Sequence, residues 1–361
     1  MPETEGIKWS PQSWMDNLRS SIEGRAITQL FMVGAHNTGT DAIHMFSPFG
    51  LDAPEAIYGM NEGVAFLLRF LTAGVSSRWA RCQSMSARQL LNHGVRYLDL
   101  RLTAGANGID RIYTTHFHAS LPLKEIIVDV KNFLETPTCG NEFIILDFQH
   151  FYGFTDESMG KFVEELSPLS DYLIPSNVPL TTPLSTLWRS STTQRVFLVV
   201  KPTIHHPAAR LRGWALRSIW LDELQLEALL ERLNRLLTRE LVDAPDERVP
   251  SKLYVTQAIG TPKNKDVAMG ACCGACPSAN PDLEDVAKKI NSPLLSWFYT
   301  LNAEGTVADR PVNLKKGNNT HGNILLLDFI QHGTCPVGKN KDLVNAVGMC
   351  VYLNTQDTAR I

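Results

Sequence analysis

Phe143-Ile144-Ile145-Leu146-Asp147 is a continuous apolar run closed by a carboxylate, and its form decides the fold. Nothing in it alternates, so both faces of the strand it makes must be covered. Val196-Phe197-Leu198-Val199-Val200 and Ile324-Leu325-Leu326-Leu327-Asp328 repeat the form. Strand-like runs are predicted at 28–34, 95–101, 111–115, 143–149, 195–200, 253–258 and 323–329. Helical periodicity falls at 84–92, 122–135, 156–166, 221–240 and 283–300. In Leu121-Pro122-Leu123-Lys124-Glu125-Ile126-Ile127-Val128-Asp129-Val130 the apolar residues recur three and four apart, with Pro in the first turn. Doubly buried strands that alternate with amphipathic helices predict a parallel sheet covered by helices. This many strands favours a closed or nearly closed α/β barrel over its rival, an open doubly wound sheet.

Several of these runs end on residues with chemistry. Phe31-Met32-Val33-Gly34-Ala35 delivers His36, and Arg111-Ile112-Tyr113-Thr114-Thr115 delivers His116, as buried parallel strands deliver side chains to a barrel mouth. Asp99 and Arg101 alternate on one strand and share a face. They read equally as a structural ion pair or as functional groups. Two imidazoles and a guanidinium at strand ends suit phosphodiester cleavage, one His removing a proton, one returning it, and Arg holding the phosphoryl oxygens. Asp328 needs a buried partner, for which a histidine is suited. Asp147 reads as support for the mouth. His116 and His118 share a face but lack a third ligand for a metal.

The chain has 361 residues, 44% apolar and 20% charged, enough for a large core and within the range of one barrel with insertions. We expect a single domain over residues 1–361, with its core about 14–355. With 34 basic and 37 acidic residues, the net charge of -3 gives no support for nucleic-acid binding. The polar opening Met-Pro-Glu-Thr-Glu-Gly-Ile-Lys lacks a signal-peptide core, and the most apolar stretch, 64–71, falls short of the ~20 residues of a membrane span. The seven cysteines read as reduced thiols. Cys272-Cys273-Gly274-Ala275-Cys276 has no second Cys/His pair at zinc spacing, so it reads as a loop. Segments 44–80, 201–220 and 260–282 read as insertions or loops. A cytoplasmic protein is expected, at most peripheral to a membrane.

The ordered combination resembles a known family. His36-Asn37-Thr38-Gly39-Thr40, then Gln89-Leu90-Leu91-Asn92-His93-Gly94-Val95-Arg96-Tyr97-Leu98-Asp99-Leu100-Arg101, then His116, is similar to the X domain of phosphatidylinositol-specific phospholipase C. The likeness continues through Glu142-Phe143-Ile144-Ile145-Leu146-Asp147-Phe148-Gln149-His150-Phe151, Tyr254-Val255-Thr256-Gln257, Thr261-Pro262, Trp297 and Ile324 to Phe329. It is greatest to single-domain X domain-containing proteins and their bacterial relatives, and covers nearly the whole chain from Trp14.

The resemblance implies a distorted, incompletely closed TIM-like (β/α) barrel. It implies a phosphoric diester hydrolase acting on a phosphoinositide at a membrane surface, with no cofactor and no obligate protein partner. His36 becomes the base for the inositol 2-hydroxyl, Arg101 the stabiliser of phosphoryl charge, and His116 the acid for the diacylglycerol oxygen. Asp328 orients His36, and Asp99 braces Arg101 and the neighbouring polar network. Gln149, Lys201 and Gln257 align with headgroup-binding positions. Asn37 stands where many relatives carry an Asp that supports the acid histidine, and Phe117 stands where they carry Gly. Calcium-dependent relatives place carboxylates at the positions of Arg101 and Gln149, so a metal-free site is expected. The alternatives are a non-catalytic phospholipid or inositol-phosphate binding module, and a phosphodiesterase for another headgroup. Run 64–71, with Phe66 and Phe70, reads either as an apolar rim for lipid or as a helix packed over the barrel.

Overall fold

In the computed structural model, ten strands form one sheet, and eight of them run parallel. The structure describes residues 3–4, 7–53, 73–105, 111–243, 251–263, 265–267, 280–304, 306–307, 310–311 and 323–356. Run 64–71 and the cysteines 272, 273 and 276 lie outside the described residues. The strands are β1 (Met32–Ala35), β2 (Tyr97–Ala104), β3 (Ile112–His116), β4 (His118–Pro122), β5 (Ile144–Tyr152), β6 (Val196–Val200), β7 (Ala209–Leu211), β8 (Leu216–Ser218), β9 (Leu253–Gln257) and β10 (Ile324–Leu327). Their lateral order is β8-β9-β10-β1-β2-β5-β6-β7, every neighbour parallel. Among the described residues no ladder joins β7 to β8, so the barrel is incompletely closed. The turn Arg212–Ala215 lies between them.

The helices follow local signals. The longer ones are α1 (Ala87–Asn92), α2 (Leu123–Leu134), α3 (Asp156–Glu165), α4 (Leu184–Ser190), α5 (Leu226–Asp243), α6 (Leu283–Tyr299) and α7 (Ala346–Gln356). Ser86 caps α1 and forms a capping box with Gln89, and Gly94, with φ 98°, turns the chain into β2. Helix α2 buries Leu123, Ile126, Ile127, Val130, Phe133 and Leu134, the stripe its periodicity predicts. At the strands' N-terminal end, the buried Arg96 guanidinium donates to Glu142, whose carboxylate also accepts the Met15 and Asp16 N–H groups.

Two expectations are corrected, and one helix is added. Run 111–115 is no parallel barrel strand: β3 pairs antiparallel with β2 and with β4, forming a hairpin that extends one side of the mouth. Segment 201–220 is not only loop, since it holds β7 and β8. Three residues each are too few to show a period. Helix α7 escaped notice because it is buried all round and carries no apolar stripe.

Candidate active site

Register builds the site. Leu327, Ala35, Leu98 and Leu146 are paired neighbours across β10, β1, β2 and β5. The next residues along these chains are Asp328, His36, Asp99 and Asp147, which alternation turns to the opposite face of the sheet. Four polar side chains from distant parts of the sequence thus share one row. The His36 Nδ1–H donates to Asp328 Oδ1 at 2.7 Å, because an ionised carboxylate only accepts. This leaves the Nε2 lone pair, to which Arg101 Nη2 donates at 3.3 Å. The Arg101 Nε is buried with no partner. Asp99 Oδ2 lies 3.9 Å from His36 Nε2.

His116 faces this group from the hairpin, its ring centre 6.1 Å from that of His36. Its Nδ1–H donates to the Ala80 carbonyl at 2.8 Å and lies 3.4 Å from Cys82 Sγ, leaving Nε2 as the nitrogen that gains or loses a proton. Burial, then the Arg101 and His36 charges, push its pKa down to about 4. Burial pushes the Cys82 thiol well up.

The three strand-end residues share a backbone feature. His36, His116 and Asp328 are each followed by a non-glycine residue in the left-handed region: Asn37 at φ 45°, Phe117 at 62° and Phe329 at 43°. Such a residue costs roughly 1–2 kcal/mol and turns the chain out of the strand at once. Neighbours hold each turn: Asp99 accepts the Asn37 N–H, and the Cys82 carbonyl accepts that of Phe329. Buried Gln83 ties the exits of β10 and β1 by donating to the Leu327 and His36 carbonyls.

Several expected contacts are absent. Asp99 does not brace Arg101; it accepts from the Asn37 backbone and from Gln149 Nε2. The Asn37 amide donates to Cys82 Sγ at 3.3 Å and does not reach His116. Lys201 is exposed, its Nζ 3.5 Å from His150 Nδ1. Gln257 donates to Ser218 on the adjacent strand and meets none of the other candidates. Asp147 closes the row beside Asp99, accepting from the Tyr97 hydroxyl at 2.5 Å and from Arg212 Nε at 3.0 Å. Burial raises its pKa to about 6 against the pull of Arg212.

His150 was missed for a physical reason. Strict alternation turns Gln149 inward and His150 out. The β2–β5 register slips between Leu100 and Arg101, setting Arg101 opposite His150. The bulge points two successive residues to the site face. His150 stacks on Tyr152, with ring centres 5.5 Å apart, and burial together with Arg101 and Lys201 lowers its pKa to about 4.

His36, Cys82 and Asp328 offer ligand atoms within 4.8 Å of one another, the geometry of a small metal site. The His36–Asp328 hydrogen bond already uses two of these groups, and the neighbouring Arg101 guanidinium repels a resident cation. Among the described residues no helix is long and apolar enough to cross a membrane.

No protein-family model matches the chain. A variant-surface-glycoprotein phospholipase C of Trypanosoma brucei brucei is 59% identical over 356 residues, covering 98% of this chain and 99% of that protein. Its Trypanosoma cruzi counterpart is 46% identical over 369 residues, covering 100% and 96%. The human PI-PLC X domain-containing protein 3 is 22% identical over 322 residues, 89% of each. Among solved structures, a phosphatidylinositol-specific phospholipase C of Staphylococcus aureus superposes with a TM-score of 0.58 at 14% identity, over 98% of this chain and 99% of that one. That of Listeria monocytogenes gives 0.53 at 13% identity, over 96% and 99%. These two likenesses bear out the distorted, incompletely closed TIM-like barrel.

Proposed function

Because the chain belongs to the family of the variant-surface-glycoprotein phospholipases C and the PI-PLC X domain-containing proteins, we propose that it cleaves the glycerol–phosphate bond of a phosphoinositide by acid–base catalysis without a metal. The observation that carries this reading is the gap between His36 and His116, with Arg101 at its edge. The inositol 2-hydroxyl attacks phosphorus while His36 Nε2 takes its proton. Asp328 steadies the imidazolium that forms, as a carboxylate on the far nitrogen does. Arg101, displaced from Nε2 by substrate, turns to the phosphoryl oxygens and supplies the positive charge. His116 gives its proton to the departing diacylglycerol oxygen, and a cyclic inositol phosphate is released first.

A pKa of about 4 leaves His116 neutral near pH 7, so the anionic phosphodiester must itself favour protonation as it binds. Gln149, bonded to Asp99, and His150, beside Arg101 and Lys201, are the groups we assign to headgroup hydroxyls. Met45 and Phe46, the latter 72% exposed, lie on the segment that leaves β1, and Trp220, 59% exposed, lies just past β8. Both segments leave the strands at their C-terminal ends, where these apolar groups suit a membrane surface. The low pKa of His116 also favours a second reading, headgroup binding without turnover.

The test is turnover of phosphatidylinositol vesicles in EDTA, with His36→Ala as control. Water-soluble cyclic inositol phosphate from the wild type alone is the expected result. Product only after calcium is added overturns the metal-free role of Arg101. Tight binding with no product in either condition selects the second reading.

A further inference from the structure

We propose that Asp52 is the positioning residue of the acid histidine, its carboxylate bracketing His116 through Thr115 on one side and Phe117 on the other. The inference rests on the reading of His116 as proton donor to the leaving oxygen. Asp52 Oδ1 accepts the Thr115 hydroxyl at 2.7 Å, and Oδ2 accepts the Phe117 N–H at 2.6 Å. The residue between those two anchors is His116, which Asp52 holds without a hydrogen bond to the ring. Nε2 therefore stays free to take up a proton as substrate binds and to pass it to the leaving oxygen.

The surrounding chain is shaped for this contact. Residues 47–53 run alongside the hairpin: the Ala119 N–H donates to the Pro48 carbonyl, the Gly50 N–H donates to the Phe117 carbonyl, and Phe49 stacks on His118 at 4.6 Å. Both backbone polar groups of left-handed Phe117 are thus tied to this segment. Its aromatic ring packs on Phe49, centres 5.5 Å apart. A Cβ on Gly50 would lie 2.0 Å from Thr115 Oγ1 and 2.3 Å from Asp52 Oδ1, so only glycine permits the approach.

The electrostatics point the same way. The groups acting on His116 are Arg101 from β2, His36 from the exit of β1, the Cys82 thiol and Ala80 carbonyl from the segment after residue 72, and Asp52. Arg101 and His36 disfavour the imidazolium, while Ala80 and Asp52 favour it. Asp52 is the carboxylate among them, so it both aims the acid and helps it keep its proton.

The experiment compares Asp52→Asn and Thr115→Val with wild type on two substrates. Phosphatidylinositol releases a poor alkoxide leaving group that needs a proton, whereas a nitrophenyl inositol phosphodiester releases a phenolate that does not. For Asp52→Asn we expect a loss of about tenfold or more on phosphatidylinositol and under about threefold on the nitrophenyl ester. The basic limb of log kcat/KM on phosphatidylinositol moves to lower pH. Thr115→Val keeps the charge, so it shows the same substrate contrast with the limb unmoved. Equal losses on both substrates, or no loss in folded variants, overturn the proposal. NMR titration of the His116 ring supplies a readout independent of turnover, in which Asp52→Asn must lower the pKa. An unmoved titration overturns the electrostatic role. A wild type inactive on both substrates overturns the catalytic reading itself and leaves that titration to be judged separately.

Discussion

The proposed base and acid corners of the site use the same residue type in opposite settings. His36 sits at the end of a central parallel strand, with Asp328 on its Nδ1 and Asp99 3.9 Å from its Nε2. His116 sits on an antiparallel hairpin at the mouth, with a backbone carbonyl and a thiol as its ring partners. A carboxylate in direct contact prepares an imidazole to receive a proton. A neutral carbonyl leaves the imidazole free to give one away, provided something else supplies the proton affinity. Arg101 and His36 oppose that affinity, and in the proposed mechanism the substrate phosphate supplies it.

The largest test of this contrast removes each ring. His36→Ala should lower turnover by about a thousandfold or more on both phosphatidylinositol and a nitrophenyl inositol phosphodiester. His116→Ala should match it on the lipid and be largely spared on the nitrophenyl ester. Identical patterns for the two variants, read from initial rates, would break the assignment of base and acid.

The support beneath the base corner comes next. Arg212→Met strands the buried Asp147 carboxylate, and denaturant unfolding should show a loss of about 3 kcal/mol. Without Arg212 the Asp147 pKa rises further above about 6, because that guanidinium pulls it down. Asp147→Asn added to Arg212→Met should therefore restore part of the loss. A double variant no more stable than the single one would mean the ion pair is not what holds this layer.

A pH comparison sharpens the acid corner. As the proposed acid, His116 must be protonated to act, and its lowered pKa places the expected basic limb of kcat/KM below that of an ordinary histidine. Bound phosphodiester raises that pKa, so the basic limb of kcat should lie about 1–3 pH units higher than that of kcat/KM. Coincident limbs would remove the substrate from the role of proton-affinity donor.

The smallest effect concerns the hairpin backbone. Phe117→Gly frees a residue held at φ 62° but loses the ring contact with Phe49. These offset each other, so thermal melting should register a change within about 1 kcal/mol, with activity retained. A collapse of activity would assign the Phe117 ring itself to the substrate pocket.

The apolar runs 143–149, 195–200 and 323–329 were legible as strands because burial on both faces leaves an uninterrupted hydrophobic signature that needs no partner to be read. His36 and Asp328 were legible as strand-end groups for the same reason, and the motif likeness linked them to Arg101, which lies within β2, and to His116. His150 was not, because a bulge belongs to the pairing of two strands and leaves no mark on either alone. Asp52 was not, because it lies 63 and 65 residues from the two groups it holds. β7 and β8 were too short to carry a period.

By itself, then, the sequence determined which segments become buried strands and amphipathic helices, and which residue types stand at the strand ends. These follow from local periodicity and side-chain chemistry. Only the tertiary structure decided the register that sets Asp328, His36, Asp99 and Asp147 in one row, the antiparallel course of the strand bearing His116, and the carboxylate that brackets it. Each of those depends on hydrogen bonds between separate segments, the row and the bracketing carboxylate on segments distant in the chain, and that energy exists only once the segments have come together.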